Sequence, residues 1–152
     1  MRDEVRIAIA EDADLIPARA AGRALAERLG FSRTDATLLA TAISEVARNI
    51  VVHVGEGEIL LRPLDDRARC GVLVVARDKG PGIWDVEAAI DGSGSSSGLG
   101  LGLGLAGARR LMDEFELDSS PERGTTVKMV KWRRRDELEL LRERRKQRAG
   151  TG

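Results

Sequence analysis

The chain has 152 residues with 25 basic and 25 acidic side chains and 42% hydrophobic content, which suits one domain around a single core. Its apolar runs, such as Val72-Leu73-Val74-Val75-Ala76, fall far short of membrane-spanning length, and Met1-Arg2-Asp3-Glu4 has no signal-peptide pattern, so a cytoplasmic protein is expected. Cys70 is the single cysteine; it excludes an internal disulfide and a multi-cysteine zinc site and reads as a small residue at a strand entrance.

In chain order, Val5-Arg6-Ile7-Ala8-Ile9 alternates as a half-buried strand, and Asp14 is placed to cap a helix running to Leu29, with Gly30 beyond it. Leu15, Ala18, Gly22, Leu25 and Leu29 share one face of that helix, the pattern of a helix lying on a sheet. A second helix is predicted from about Arg33 to Val52, started by Ser32 or Thr34, with Leu39, Ile43, Val46 and Ile50 as its buried stripe. Glu45 and Asn49 lie one turn apart on another side, where two polar groups converge on one ligand. His53 follows near the helix end, where interaction with the C-terminal dipole is the expected role.

Glu58 to Pro63 and Gly71 to Ala76 read as strands of a hairpin, turned by Asp65-Asp66-Arg67. Asp91 to Gly104 is dense in Gly and Ser, the composition of a lid loop, and Leu105 to Asp113 resumes a helical pattern. Glu114 to Ser119 and Thr125 to Trp132 supply two more strands, joined at Pro121-Glu122-Arg123-Gly124. The predicted fold is α+β: a two-layer α/β sandwich with one mixed sheet and helices on a single face. Trp84 and Trp132 are expected in the core or at a pocket edge rather than in a cofactor cage.

Overall neutrality hides an asymmetry. Lys128 to Arg148 carries a surplus of six positive charges, leaving Met1 to Val127 six negative. The body has no tyrosine or interleaved aromatics for base stacking, so neither nucleic acid nor membrane is an expected partner. Leu138, Leu140 and Leu141 are too few for a heptad seam, and the tail reads as a solvated charged helix, with docking to a partner left open.

Two glycine-bearing segments, Asp78-Lys79-Gly80-Pro81-Gly82 and Gly98-Leu99-Gly100-Leu101-Gly102-Leu103-Gly104, follow Glu45 and Asn49. There is no Gly-x-x-x-x-Gly-Lys-Ser/Thr loop, and the second run does not follow a strand at dinucleotide-fingerprint spacing. Alone, that run reads as a flexible connector and Gly80 and Gly82 as turn residues. Taken in order, the three suggest ATP. A carboxylate accepts the adenine amino hydrogen, glycines admit close backbone, and a helical carboxamide holds Mg²⁺ beside the phosphates. A helical carboxylate near the γ-phosphate would accept a hydroxyl proton while metal and amides neutralise developing charge. Water as acceptor makes an ATPase and a protein serine makes a kinase; the residues alone do not separate these.

The chain resembles the Bergerat-fold (GHKL) ATPases and kinases, shared by gyrase, MutL and histidine-kinase catalytic domains. Thr41 to Ile50, Asp78 to Ile83 and Arg110 to Phe115 narrow the resemblance to the anti-sigma-factor serine kinases, especially the RsbT-like switch kinases of stressosome pathways. It covers about Val5 to Trp132, which sets residues 1–132 apart as an ATP-binding kinase domain and 133–152 as a basic helical tail that the resemblance does not explain. It implies Glu45 as general base, Asn49 as Mg²⁺ ligand and Asp78 as the adenine contact. Gly80 and Gly82 would shape the adenine pocket, Gly100, Gly102 and Gly104 would line the phosphates, and Thr125 would close the base pocket. Arg48 matches the switch-kinase pattern, as a phosphate contact or a salt-bridged surface residue. Ala106 stands where relatives often have proline. The resemblance also implies an ATP- and Mg²⁺-dependent serine/threonine kinase acting on a STAS-domain antagonist, with a stressosome scaffold and a downstream PP2C-type phosphatase as further partners. The rival expectation is a nucleotide-gated anti-sigma protein that sequesters a sigma factor. No helical dimerisation hairpin accompanies His53, which disfavours a complete histidine kinase.

Overall fold

The computed structural model describes residues 4–80 and 104–151. Strand β1 (Val5–Ile9) leads through a short 3₁₀ turn (Asp12–Asp14) into helices α1 (Leu15–Arg28) and α2 (Arg33–His53). Strands β2 (Gly57–Asp66) and β3 (Arg69–Asp78) form a hairpin. Helix α3 (Gly104–Leu111), strands β4 (Glu114–Ser120) and β5 (Gly124–Arg134), and a C-terminal helix α4 (Glu137–Thr151) complete the described elements.

The five strands lie in the order β1-β2-β3-β5-β4, and every pairing is antiparallel. The sheet is therefore antiparallel, where a mixed one was expected. Two reversing helices between β1 and β2 return the chain in the opposite sense, and β5 inserts between β3 and β4, separating the two strands that share a direction. Register puts Ile59 opposite Ala76, Val74 opposite Met129 and Val127 opposite Leu117, so alternate residues face the helices. These side chains merge with Ile9, Leu61 and Val72 and with Leu39, Ile43, Val46 and Ile50 of α2 in one core. Full burial of each large aliphatic contributes about 1.5–3 kcal/mol.

Local chemistry explains the helix ends. Ser32 caps α2 by accepting from the Asp35 amide at 3.1 Å. Helix α1 closes on Gly30, whose φ of +84° lets Phe31 N donate to Ala26 O at 3.0 Å. Asp14 precedes α1 as expected, but its carboxylate turns back to accept from the amides of Ala10 and Glu11, at 2.8 and 3.0 Å, rather than capping the helix. Gly22 lets α1 meet α2, because a Cβ there would overlap Ile43.

Polar contacts seat α4 at the end of the sheet. Glu139 N donates to Asp136 Oδ1 (2.8 Å) while Asp136 N donates to Glu139 Oε1 (3.2 Å), a reciprocal box at the helix start. The Arg133 guanidinium forks onto Glu139 at 3.0 and 2.6 Å and donates from Nε to the Leu29 carbonyl at the end of α1. The fork holds the Glu139 carboxyl down at about 2 and raises Arg133 beyond its already high value. Arg135 adds bonds to Asp65 (2.8 Å) and to the Arg67 carbonyl (2.9 Å) at the β2–β3 turn.

Candidate functional site

Among the described residues, Asp78 and Thr125 pair at one end of the sheet. Asp78 is the last residue of β3, pairs with Gly57 on one side and Thr125 on the other, and is only 7% exposed. A carboxylate buried at that depth needs donors. Gly80 N supplies one to Oδ1 at 2.9 Å, which fixes the carboxylate plane. Thr125 is equally buried and shares a 2.9 Å hydrogen bond with the Ser119 hydroxyl across β4–β5, so its side chain is held by a neighbour.

Glycines surround Asp78 because side chains would not fit. A Cβ on Gly124, which sits at φ +80°, would overlap the Asp78 carbonyl and lie 2.7 Å from Lys79 Cα. On Gly57 it would overlap the Arg77 carbonyl and press on Ile50 and the Asp78 Cβ; on Gly80 it would lie 2.6 Å from Val54 Cγ2. Gly57, Gly124, Val54 and Ser119 were not singled out from the sequence. The turn composition at Gly124 is a visible signal for a glycine requirement, but its role against Asp78 exists only in the folded ladder.

Helix α2 brings the other polar pair. Ile50, on its buried stripe, faces Gly57, so the last turns of α2 lie over the same sheet end as Asp78. Glu45 and Asn49 are both half-buried on the flank of that helix. Glu45 is 13% exposed at its side chain and pairs with Arg48 at 3.3 Å, so of the two readings of Arg48 the structure displays the ion pair. His53 lies in the final turn of α2, as expected. Gly104 opens α3 with φ +50° and nothing within 4 Å of a built Cβ. Gly82, Gly100, Gly102, the rest of the expected lid, and Trp84 lie outside the described residues. Trp132 sits half-buried far from Asp78, under the Arg69 guanidinium at 3.8 Å.

The donor set fits a nucleotide better than a caged metal. Among the described residues no group of three or more His, Cys, Asp or Glu side chains gathers to hold an ion. Mg²⁺ that takes most of its ligands from phosphates and water needs no such group. The buried acceptor among side-chain-free positions fits the edge of a planar base. No helix among the described residues is long and apolar enough to cross a membrane.

An antiparallel sheet with helices packed on one face, and a buried aspartate at the sheet end beneath a helix carrying Glu and Asn, define a GHKL-type ATPase domain. Residues 8–131 match the family described as Histidine kinase-like ATPase domain, and the chain belongs to that family. It is 42% identical to Serine/threonine-protein kinase RsbT of Bacillus subtilis (strain 168) over 134 residues, 88% of this chain and 100% of the relative. More distant are two proteins named Anti-sigma F factor. One, from Caldanaerobacter subterraneus subsp. tengcongensis, is 32% identical over 76% of this chain and 82% of its own length. The other, from Bacillus licheniformis, is 30% identical over 75% and 81%. The family match ends before α4.

Proposed function

We propose that this protein is an ATP- and Mg²⁺-dependent serine/threonine kinase that phosphorylates a STAS-domain antagonist in the cytoplasm and switches partners as a result. The observation that carries the reading is the buried Asp78 carboxylate, held by the Gly80 amide and flanked by Gly57 and Gly124. Similarity to RsbT along that protein's whole length supports serine rather than water as acceptor.

In this reading Asp78 accepts the adenine amino hydrogen, Gly80 and Gly82 let backbone approach the base, and Thr125 closes the pocket. Backbone amides at Gly100, Gly102 and Gly104 receive the phosphates. Asn49 would hold Mg²⁺, which would supply charge neutralisation at the phosphoryl oxygens. Glu45 takes the proton of the substrate serine as its oxygen bonds to the γ-phosphorus and the bond to the β-phosphate oxygen breaks, releasing ADP. Arg48 keeps the Glu45 carboxylate placed until substrate arrives. Phosphate added to the antagonist brings like charge and bulk to its interface and releases the kinase. The freed kinase then activates a PP2C-type phosphatase, with a stressosome scaffold presenting the antagonist.

Two anti-sigma F relatives favour a second reading, in which the nucleotide gates capture of a sigma factor and phosphate transfer is incidental. Incubating the protein with labelled ATP, Mg²⁺ and a purified STAS-domain partner separates the two. Stoichiometric transfer to a serine of the partner supports the kinase. Absence of transfer, together with nucleotide-dependent binding of a sigma factor, refutes it.

A further inference from the structure

Helix α4 lies outside the family match, yet it is pinned in place. Leu140, Glu143 and Gln147 face the β2–β3 turn, lining a cavity with Asp65 and Arg135. Helical spacing puts Leu138, Leu141, Arg142 and Arg145 together on the opposite side, at intervals of three, four and seven. Leu138 and Leu141 are 55% and 52% exposed. On the inward side of the helix start, at Leu140, runs a separate groove of about 680 Å³ whose lining includes Asp113, Trp132, Arg69 and Arg134. Among the described residues no ion pair engages Arg134, Arg142 or Arg145.

We propose that the outward face of α4 docks an acidic, amphipathic segment of a protein partner. Charge complementarity selects the sign: this face presents Arg142 and Arg145, which no ion pair answers among the described residues, next to two exposed leucines. Rigidity selects the class. The Asp136–Glu139 box, the Arg133 fork and the Arg135 bonds fix the angle of the helix, which a purely electrostatic polybasic tail does not require. A preset face lowers the ordering cost of binding a shape-matched partner. Two leucines without an aromatic give too narrow an apolar face for insertion at a lipid interface.

The test uses the full chain and four probes: an acidic peptide with leucines at helical spacing, a peptide of the same composition with its leucines scattered, phosphatidylcholine–phosphatidylserine vesicles, and a short DNA duplex. The amphipathic peptide is expected to bind, to weaken with salt, and to lose about tenfold or more in affinity with L138A/L141A and again with R142E/R145E. All four substituted side chains are exposed, so circular dichroism should not change. Amide shifts on peptide addition should fall on residues 137–148. Equal binding of the scattered peptide, indifference to the substitutions, or tighter binding of vesicles or DNA than of the peptide overturns the proposal.

Discussion

Asp78→Asn changes one atom at the base of the proposed adenine pocket. The carboxamide keeps an oxygen to accept from Gly80 N, now at 2.9 Å, and keeps the side-chain volume, so the fold should survive. The second oxygen becomes an NH₂ group. It then meets the adenine amino group donor to donor, and the charge-assisted hydrogen bond is lost. A hydrogen bond to a charged group contributes about 1.5–3 kcal/mol, so ATP affinity should fall by roughly 10- to 150-fold. The guanine carbonyl at the matching ring position faces an acceptor in the wild type and a donor in the variant, so GTP affinity should rise relative to ATP. Calorimetric titration of both nucleotides into both proteins, with thermal melts as the folding control, measures this. A folded Asp78→Asn protein with unchanged ATP affinity and unchanged ATP-over-GTP preference refutes the placement of the adenine.

Glu45→Ala should lower single-turnover phosphorylation by about two to four orders of magnitude while sparing nucleotide affinity, and near-normal turnover eliminates Glu45 as base. Asn49→Ala should weaken ATP binding in Mg²⁺ and leave adenosine binding without metal almost unchanged; equal losses in both conditions would indicate a damaged fold. Gly124→Ala forces a Cβ into the Asp78 carbonyl at φ +80°, and urea denaturation should show a loss of about 1–3 kcal/mol, accompanied by weaker ATP binding. Glu139 titrates at about 2 in the folded protein against an ordinary 4.5, so its anchoring of α4 is complete above about 4.5 and is lost as pH falls towards 2. Amide protection factors along residues 137–150, corrected for intrinsic exchange, should fall across that window, and Glu139→Gln should reduce that pH dependence to what the Asp65–Arg135 pair and Asp136 contribute.

Strand β1 and the buried stripe of α2 are legible in the sequence because apolar periodicity and an N-cap serine sit where burial demands them. The β2–β3 hairpin is longer than its apolar pattern. Asp65, Asp66, Arg69, Arg77 and Asp78 are polar, and only cross-strand pairing makes them strand. Strand order was not legible: periodicity marks which face of β5 is buried but says nothing of its insertion between β3 and β4. In the candidate site, Glu45, Asn49 and Asp78 announce themselves by residue type. Gly57 and Gly124 do not, because their contribution is a missing side chain whose cost is set by a carbonyl distant in sequence. The seating of α4 was equally hidden, since it depends on Arg133 reaching the Leu29 carbonyl, 104 positions away.

Strand β3 runs from Arg69, beneath the α4 end, to Asp78 at the other, and ten residues of extended chain span about 30 Å. The molecule is thus bipolar, with the proposed nucleotide pocket and the basic helix at opposite ends of one stiff ladder. A polypeptide gripped at the helix leaves the pocket unobstructed. A flexible tether matched to that span would hold a serine-bearing domain near the pocket at a local concentration far above that in bulk solution. Turnover would then follow tether length, with no change of shape passing through the sheet.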